Sequence, residues 1–340
     1  MKYCIILCLL LSFSPIHSQE DINSLVEKGI ILHDEGKFEE AIETYKKALE
    51  IDPKSSLVNY EISLSYFYNK DYQKAIKHCD IVLKNKDQHQ KEAYITKGSS
   101  LDNLGKTKAS IKLFKKAIKD YEDVLLYYNL ALNYYKQEDF ENAEEIVTKG
   151  IALDSSHSSS HLILAYINYN NNKRTQSLLN LHYFLFLEPN SRRSPEAGKL
   201  IQEMMRSNVS QDPDKPNTIN ISLVFPGEDN EFRSAEMMLS LLEASKMTEK
   251  NKDKTEDELF IDNTRSFFNI LGELNSDEKK SIYWDIYIPF FYNIAQSEHM
   301  DAYCYYVMQS VNPYATAWFE VNKDQLDAFD AWFNKQYAND

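Results

Sequence analysis

Apolar and polar positions divide this chain into three regimes. Residues Tyr3 to Phe13 form an apolar run, interrupted only by Ser12, behind Met1 and Lys2, and Ser14-Pro15 break it. That layout, with the small Ser18 in Ile16-His17-Ser18-Gln19 as a cleavage point, predicts a secretory signal over residues 1–18, cleaved after Ser18. The run is too short to span a bilayer, which needs about 20 apolar residues, and no later stretch qualifies. From Ile22 to about residue 191, apolar residues recur at helical spacing in short blocks broken by turns. These blocks repeat, with starts at Ile22, Ser56, Lys91, Val124 and Ser158. Small residues return at two fixed offsets. Gly29, Ser63, Gly98, Ala131 and Ala165 stand eighth in their units, and Ala41, Ala75, Ser110, Ala143 and Ser177 stand twentieth. Small side chains at paired offsets are what two closely crossing helices require.

Other offsets carry bulk. Tyr45, Cys79, Phe114, Val147 and Leu181 stand twenty-fourth, where they fill space between the helices. Turns fall at Glu35-Gly36-Lys37-Phe38, Asn69-Lys70-Asp71-Tyr72, Leu104-Gly105-Lys106-Thr107 and Gln137-Glu138-Asp139-Phe140. Pro53 and Pro189 close the first and fifth units, because a proline cannot continue a helix. The period and these residues resemble the tetratricopeptide (TPR) family, which has two antiparallel helices per repeat. The resemblance spans residues 22–191, as units 22–55, 56–90, 91–123, 124–157 and 158–191. The sequence departs from the family at the fourth position, where its common Trp is replaced by Leu25, Asn59, Tyr94, Tyr127 and His161. The implied fold is all-α: a superhelical array of about five helix-turn-helix repeats, then a C-terminal helical domain.

The resemblance further implies a concave binding surface on the first helix of each unit. There it places Tyr60, Leu64 and Phe67 of the second repeat, Tyr128, Leu132 and Tyr135 of the fourth, and Leu162, Tyr166 and Tyr169 of the fifth. The third repeat offers Glu92, Ile95, Ser99 and Asp102 instead. Tyrosine is stiff and amphipathic, which suits recognition of an extended or helical peptide. The lysines that some members use to hold a terminal carboxylate are missing from these positions.

After the repeats, Ser194 as N-cap and Pro195 as first helical residue predict a capping helix over 192–206. Residues 207–218, with Pro213 and Pro216, read as a linker. Ile219, Ile221, Leu223 and Phe225 alternate with other residues up to Pro226-Gly227, which suggests one extended segment with no evident partner strand. The remainder of 219–340 reads as an acidic helical domain. Expected helices run over 231–246, from a Thr255/Glu258 capping box to 274, from Ser276 through Trp284 to Ala295 with a kink at Pro289, over 301–311, in a short helix after Asn312-Pro313, and over 323–337 after Asn322.

Composition sharpens this picture. Eight glycines in 340 residues argue against Rossmann, P-loop and most all-β folds. The net charge of −14, most of it carried after residue 191, argues against sequence-independent nucleic-acid binding. Cleavage of the signal would leave Cys79 and Cys304, which are expected to be free and buried rather than a disulfide framework. No zinc, nucleotide or nucleophile-elbow motif occurs. His157 and His161 have metal-ligand spacing but fall at a turn and a packing position, and Glu298, His299 and Asp301 read as caps or surface groups. The aromatic run Tyr283-Trp284, Tyr287, Phe290-Phe291-Tyr292, Tyr303 and Tyr305-Tyr306, extended by Trp318, Phe329, Trp332 and Phe333, reads as bundle core. The combined expectation is an exported, non-enzymatic scaffold of the periplasm or cell envelope, with secretion as the alternative. It would bind a protein or peptide, with no cofactor, metal, nucleic acid or membrane span after cleavage. Self-association stays open. An envelope glycan or small-molecule binder using Trp284, Trp318 and Trp332, and an enzyme anchored at His299, stand as alternatives.

Overall fold

A computed structural model describes residues 21–86, 88–212, 214–222, 231–276 and 278–337. The signal at 1–18 and the Leu223 to Gly227 end of the extended segment lie outside them. The chain divides into two compact units, one ending at Ser110 and one starting at Ile111.

The first unit contains α1 (Ile22–Asp34), α2 (Phe38–Ile51), α3 (Ser56–Tyr68), α4 (Tyr72–Asn85), α5 (Gln90–Asn103) and the start of α6 (Thr107–Ala117). Its core places Ala41, Tyr45 and Ala48 of α2 against Leu25 and Val26 of α1 and Val58 and Ile62 of α3. Gly29 shows why the eighth position stays small: a Cβ there would lie 2.3 Å from the Tyr45 ring. At the twentieth position Ser110 serves as well as alanine, because its hydroxyl donates back to the Gly98 carbonyl at 2.8 Å.

The second unit continues with α7 (Val124–Lys136), α8 (Phe140–Leu153), α9 (Ser158–Asn170), α10 (Arg174–Leu187) and α11 (Ser194–Arg206). Ser177 repeats the Ser110 device, donating to the Ala165 carbonyl at 2.8 Å. One backbone feature recurs in every repeat of both units. Gly36, Lys70, Gly105, Glu138 and Asn172 all have φ between 56° and 75°. Each ends its first helix with a left-handed residue, and the next amide reaches back to a carbonyl five residues earlier, as Lys37 does to Leu32 and Lys173 to Asn168. Only two of the five are glycine, so the turn persists where the side chain opposes it.

Two strands follow, β1 (Val209–Asp212) and β2 (Lys215–Ile221). They pair antiparallel, with Val209 opposite Ile221 and Gln211 opposite Ile219. The stretch expected to be a plain linker therefore supplies the partner strand that the extended segment lacked. The later helices are α12 (Arg233–Ser245), α13 (Glu256–Glu273), α14 (Ile288–Gln296), α15 (Met300–Met308), α16 (Ala315–Val321) and α17 (Lys323–Tyr337). The Thr255/Glu258 capping box forms as expected, with the Glu258 amide donating to Thr255 Oγ1 and the Thr255 amide to the Glu258 carboxylate.

Two expectations about helix ends are corrected. Ser194 does not cap α11; its hydroxyl donates to the Glu188 carbonyl at 2.7 Å and accepts from the Ser191 amide, so it closes the preceding turn. The helix expected from Ser276 begins later, with a π-helical stretch over Tyr283–Tyr287 that runs into α14. The Ile288 amide bonds to the Tyr283 carbonyl, five residues back, and Pro289, which has no amide hydrogen, follows at once.

Helix α10 is the axis of the second unit. Eleven of its fourteen residues are buried, from Arg174 to Leu185. Its apolar side chains share one core with Phe267 and Phe268 of α13, Phe291 and Ile294 of α14, and Tyr303 and Val307 of α15. Phe268 and Phe291 stack there with ring centroids 4.5 Å apart. The last repeat and the C-terminal helices thus form one body with one core.

Candidate functional site

The predicted binding residues fall into two sets. In the first unit Tyr60, Leu64 and Phe67 lie along α3, each half-buried. Tyr60 stacks on His89 with ring planes 7° apart. Burial and the neighbouring Glu61 push its hydroxyl up to about 12. Phe67 packs edge-on to Tyr72 at 5.6 Å.

In the second unit the set lies on α7 and α9. Tyr128, Leu132 and Tyr135 follow i, i+4, i+7 spacing, so they share one helix face; Leu162, Tyr166 and Tyr169 are spaced the same way on α9. Leu162 is the exception among these side chains. It is 7% exposed and belongs to the shared core, because the adjacent α10 is covered by the C-terminal helices. The other five keep exposed surface, with Tyr169 43% accessible. Both α7 tyrosines of this set are braced: Tyr128 edge-on to His157 at 5.1 Å, and Tyr135 beside Phe140 at 5.6 Å. Asn170 of α9 donates to the Tyr135 hydroxyl at 3.3 Å and to the Tyr166 carbonyl at 2.7 Å, tying the two helices together across this face. The Tyr166 hydroxyl is raised above its ordinary value by burial first and by Glu196 second. Preorganised aromatic surface of this kind loses little side-chain entropy on binding.

At one end of the face Arg193 holds Glu188 and donates to Ser159 Oγ at 2.9 Å. The pairing draws the Glu188 carboxyl down to about 2. The guanidinium is thereby committed within the chain.

The candidate reactive groups occupy structural positions. His161 Nε2 donates to the Ser155 carbonyl at 2.9 Å, and Nδ1 accepts from the Tyr287 hydroxyl at 2.6 Å. Burial lowers this imidazole to about 4, which keeps it neutral. His157 meets Ser160 Oγ at 2.8 Å. Asp301 pairs with Arg265 at 3.4 Å, while the His299 ring lies against Trp332 at 5.4 Å. Among the described residues no three His, Cys, Asp or Glu side chains converge as a metal site, and no helix is long and apolar enough to cross a membrane. Trp284 is 2% exposed, stacks on Phe232 at 5.0 Å and donates to Glu231. Trp318 stacks on Tyr305 at 4.5 Å, and Trp332 packs on Phe329. The late aromatics are bundle core, as the sequence suggested. Cys79 and Cys304 are free and buried, and burial pushes the Cys79 thiol up to about 12.

Sequence reasoning missed how the fifth repeat is held. Asn168 donates to the Tyr283 hydroxyl at 2.6 Å and to Asn180 at 2.8 Å, and His182 meets the Tyr303 hydroxyl at 3.0 Å. Together with His161, these residues join α9 and α10 to partners more than a hundred residues away. The available signal was four polar side chains, His161, Asn168, Asn180 and His182, set within the apolar stretches of two helices. Buried polar groups need partners, so such residues announce a covering layer.

Comparison with known proteins agrees with this architecture. Residues 29–70 match the family profile described as TPR repeat, and residues 91–119 and 124–157 match the profile described as tetratricopeptide repeat. A TPR repeat-containing protein of Methanocaldococcus jannaschii is 27% identical over 148 residues, 43% of this chain and 25% of that protein. The Hsp70-Hsp90 organising protein of Plasmodium falciparum is 24% identical over 148 residues, 44% of this chain and 26% of that protein. The chain thus spans about a quarter of the length of these curated relatives. Among solved structures, that of the type IV pilus biogenesis factor PilW is 19% identical and covers 54% of this chain and 86% of its own, with a TM-score of 0.49. The chain carries tetratricopeptide repeats in an all-α array, and the profiles do not reach its C-terminal half.

Proposed function

We propose that this tetratricopeptide-repeat chain is an exported, non-enzymatic scaffold. It binds a segment of a partner protein along the tyrosine faces of its first-in-repeat helices. The repeats themselves suggest protein or peptide partners. The observation that carries the reading is the partly exposed set Tyr128, Tyr135, Tyr166 and Tyr169 on α7 and α9, of which Tyr128 and Tyr135 are braced by neighbouring rings. Large side chains left at the surface and held in place are suited to act as anchors for an apolar ligand. Export rests on the signal layout at 1–18, and we place the exported chain in the periplasm or cell envelope, with release to the medium as the other destination. Trp284 is buried against Phe232, Trp318 and Trp332 stack on Tyr305 and Phe329, and the His299 ring lies against Trp332; these contacts favour packing roles for the residues on which the glycan and enzyme alternatives rest.

The test expresses the full chain, wild type beside Tyr128→Ala/Tyr135→Ala, in cells with an envelope. N-terminal sequencing of the recovered protein should begin at Gln19; an unprocessed chain in the cytoplasm would remove the export part. Crosslinking in envelope extracts should capture a defined protein with wild type and lose it with the folded double variant. Equal capture by both would move binding away from this face.

A further inference from the structure

An open pocket of about 460 Å³ adjoins the tyrosine face where α9 ends. Tyr169 forms one wall. Arg174 and Glu236, both buried, form the floor, and Asn172, Glu203 and Asn208 stand at the mouth. The Arg174 guanidinium is spent: it donates to the carbonyls of Met204 at 2.7 Å and Met205 at 2.9 Å and to Ser240 Oγ at 2.9 Å. It therefore offers little to an anion. The mouth residues are different. Among the described residues, the side chains of Asn172, Glu203 and Asn208 form no hydrogen bond or ion pair. Both asparagines sit at left-handed backbone, φ 56° and 69°, so turn geometry fixes where their amides start.

The chemistry on offer is a set of acceptors around an aromatic wall. Glu203 supplies a carboxylate, the two amides supply carbonyl oxygens, and the Tyr169 ring supplies a π face. The exposed Glu203 carboxylate, with the Arg174 guanidinium already committed, makes the mouth of the pocket negative. A primary ammonium or a guanidinium has only donors and a positive charge, and it matches this set in both respects.

We infer that this pocket receives a lysine or arginine side chain of the segment bound along α7 and α9. The inference rests on the binding face proposed above and names the chemistry of its occupant. A net charge of −14 on the chain would also draw a basic segment toward it.

The test pans a displayed library of random peptides, about twelve residues long, on the full chain, with Tyr128→Ala/Tyr135→Ala as control. Enriched peptides should share a basic residue at one fixed distance from an aromatic or aliphatic anchor. The best peptide, resynthesised, should lose about tenfold in affinity when its lysine becomes norleucine and about tenfold on Glu203→Gln. The two changes together should cost little more than either alone. Glu203 is exposed, so its variant keeps the fold, and Asn172→Gly suits the same turn while removing one amide. Enriched peptides without a basic residue, or a norleucine penalty unchanged in Glu203→Gln, would overturn the pocket while leaving the face. Peptides that bind the Tyr128→Ala/Tyr135→Ala control equally well would overturn the face, and no enrichment at all would overturn both.

Discussion

Helices α4 and α10 hold the same place in their repeats and live in opposite surroundings. In α4 the buried residues are Ala75, Cys79 and Val82, one stripe on a helix whose other side chains are half-buried or exposed. In α10 burial runs almost all the way round, and the helix includes His182, Asn180 and Arg174 among its buried residues. The shared repeat positions account for the stripe. The rest of α10 answers to the C-terminal helices, which cover the faces that α4 leaves open. A repeat sequence thus records two things at once: how its helices cross, and what covers them. Only the first has a period.

The strongest way to break this contrast is Arg174→Met. Met204, Met205 and Ser240 would lose their donor, and Glu236 and Glu243 the positive charge beside them. Removing one partner of a buried charge network costs about 3–5 kcal/mol. All three tryptophans of the chain lie in the second unit, so a melt followed by tryptophan fluorescence reads that unit. Lys77→Met on the open side of α4, in the first unit and therefore followed by circular dichroism, should move stability by less than about 0.5 kcal/mol. A small effect of Arg174→Met would mean that α10 is less embedded than its burial implies.

Acid comes next. Burial lowers His161 to about 4 and His182 to about 3, from an ordinary 6.5. The unfolded chain takes up these protons first as pH falls, so the stability tied to both neutral rings is present above pH 6.5 and drains away below it. The loss should reach about 1.5 kcal/mol for each ring between pH 6.5 and 5. Urea melts at the two pH values, followed by tryptophan fluorescence so that the second unit is read apart from His33 and His78, check this, and His182→Gln should remove up to about half of the slope.

Asn168→Leu sharpens the comparison, since Leu32 and Leu101 occupy the equivalent position elsewhere. The repeat-like residue should nevertheless destabilise by about 1–3 kcal/mol, because Tyr283 and Asn180 lose a buried partner. A neutral outcome would show that the covering layer does not depend on its polar links. The smallest effect has the opposite sign. Glu138→Gly copies Gly36 and Gly105 at the left-handed turn and should stabilise by about 0.5 kcal/mol, read as a shift in urea midpoint.

These contrasts explain what could be read in advance. Small residues at the eighth and twentieth positions, the Gly36 and Gly105 turns, the Thr255 box and the bounds of α17 are local or periodic features, and pattern reading reaches them. The tyrosines of α7 and α9 were legible for the same reason. Leu162 was not, because its burial depends on helices more than a hundred residues later in the chain. The same holds for His161 with Tyr287 and His182 with Tyr303, separated by 126 and 121 residues. The partner strand at Val209–Asp212 escaped notice because Val-Ser-Gln-Asp has no apolar alternation to announce it.

The covering of α10 also bears on how such a chain can grow. Repeat arrays lengthen by duplication of a unit, and a new unit must stack on the exposed side of an old one. A copy inserted ahead of Ser158 would offer the fifth repeat the kind of neighbour it already has. A copy inserted after Leu187 would have to displace Phe268, Phe291 and Tyr303 from a finished core. The embedded helix makes the fifth repeat a terminus, and length variation among descendants of this chain should accumulate on its amino-terminal side.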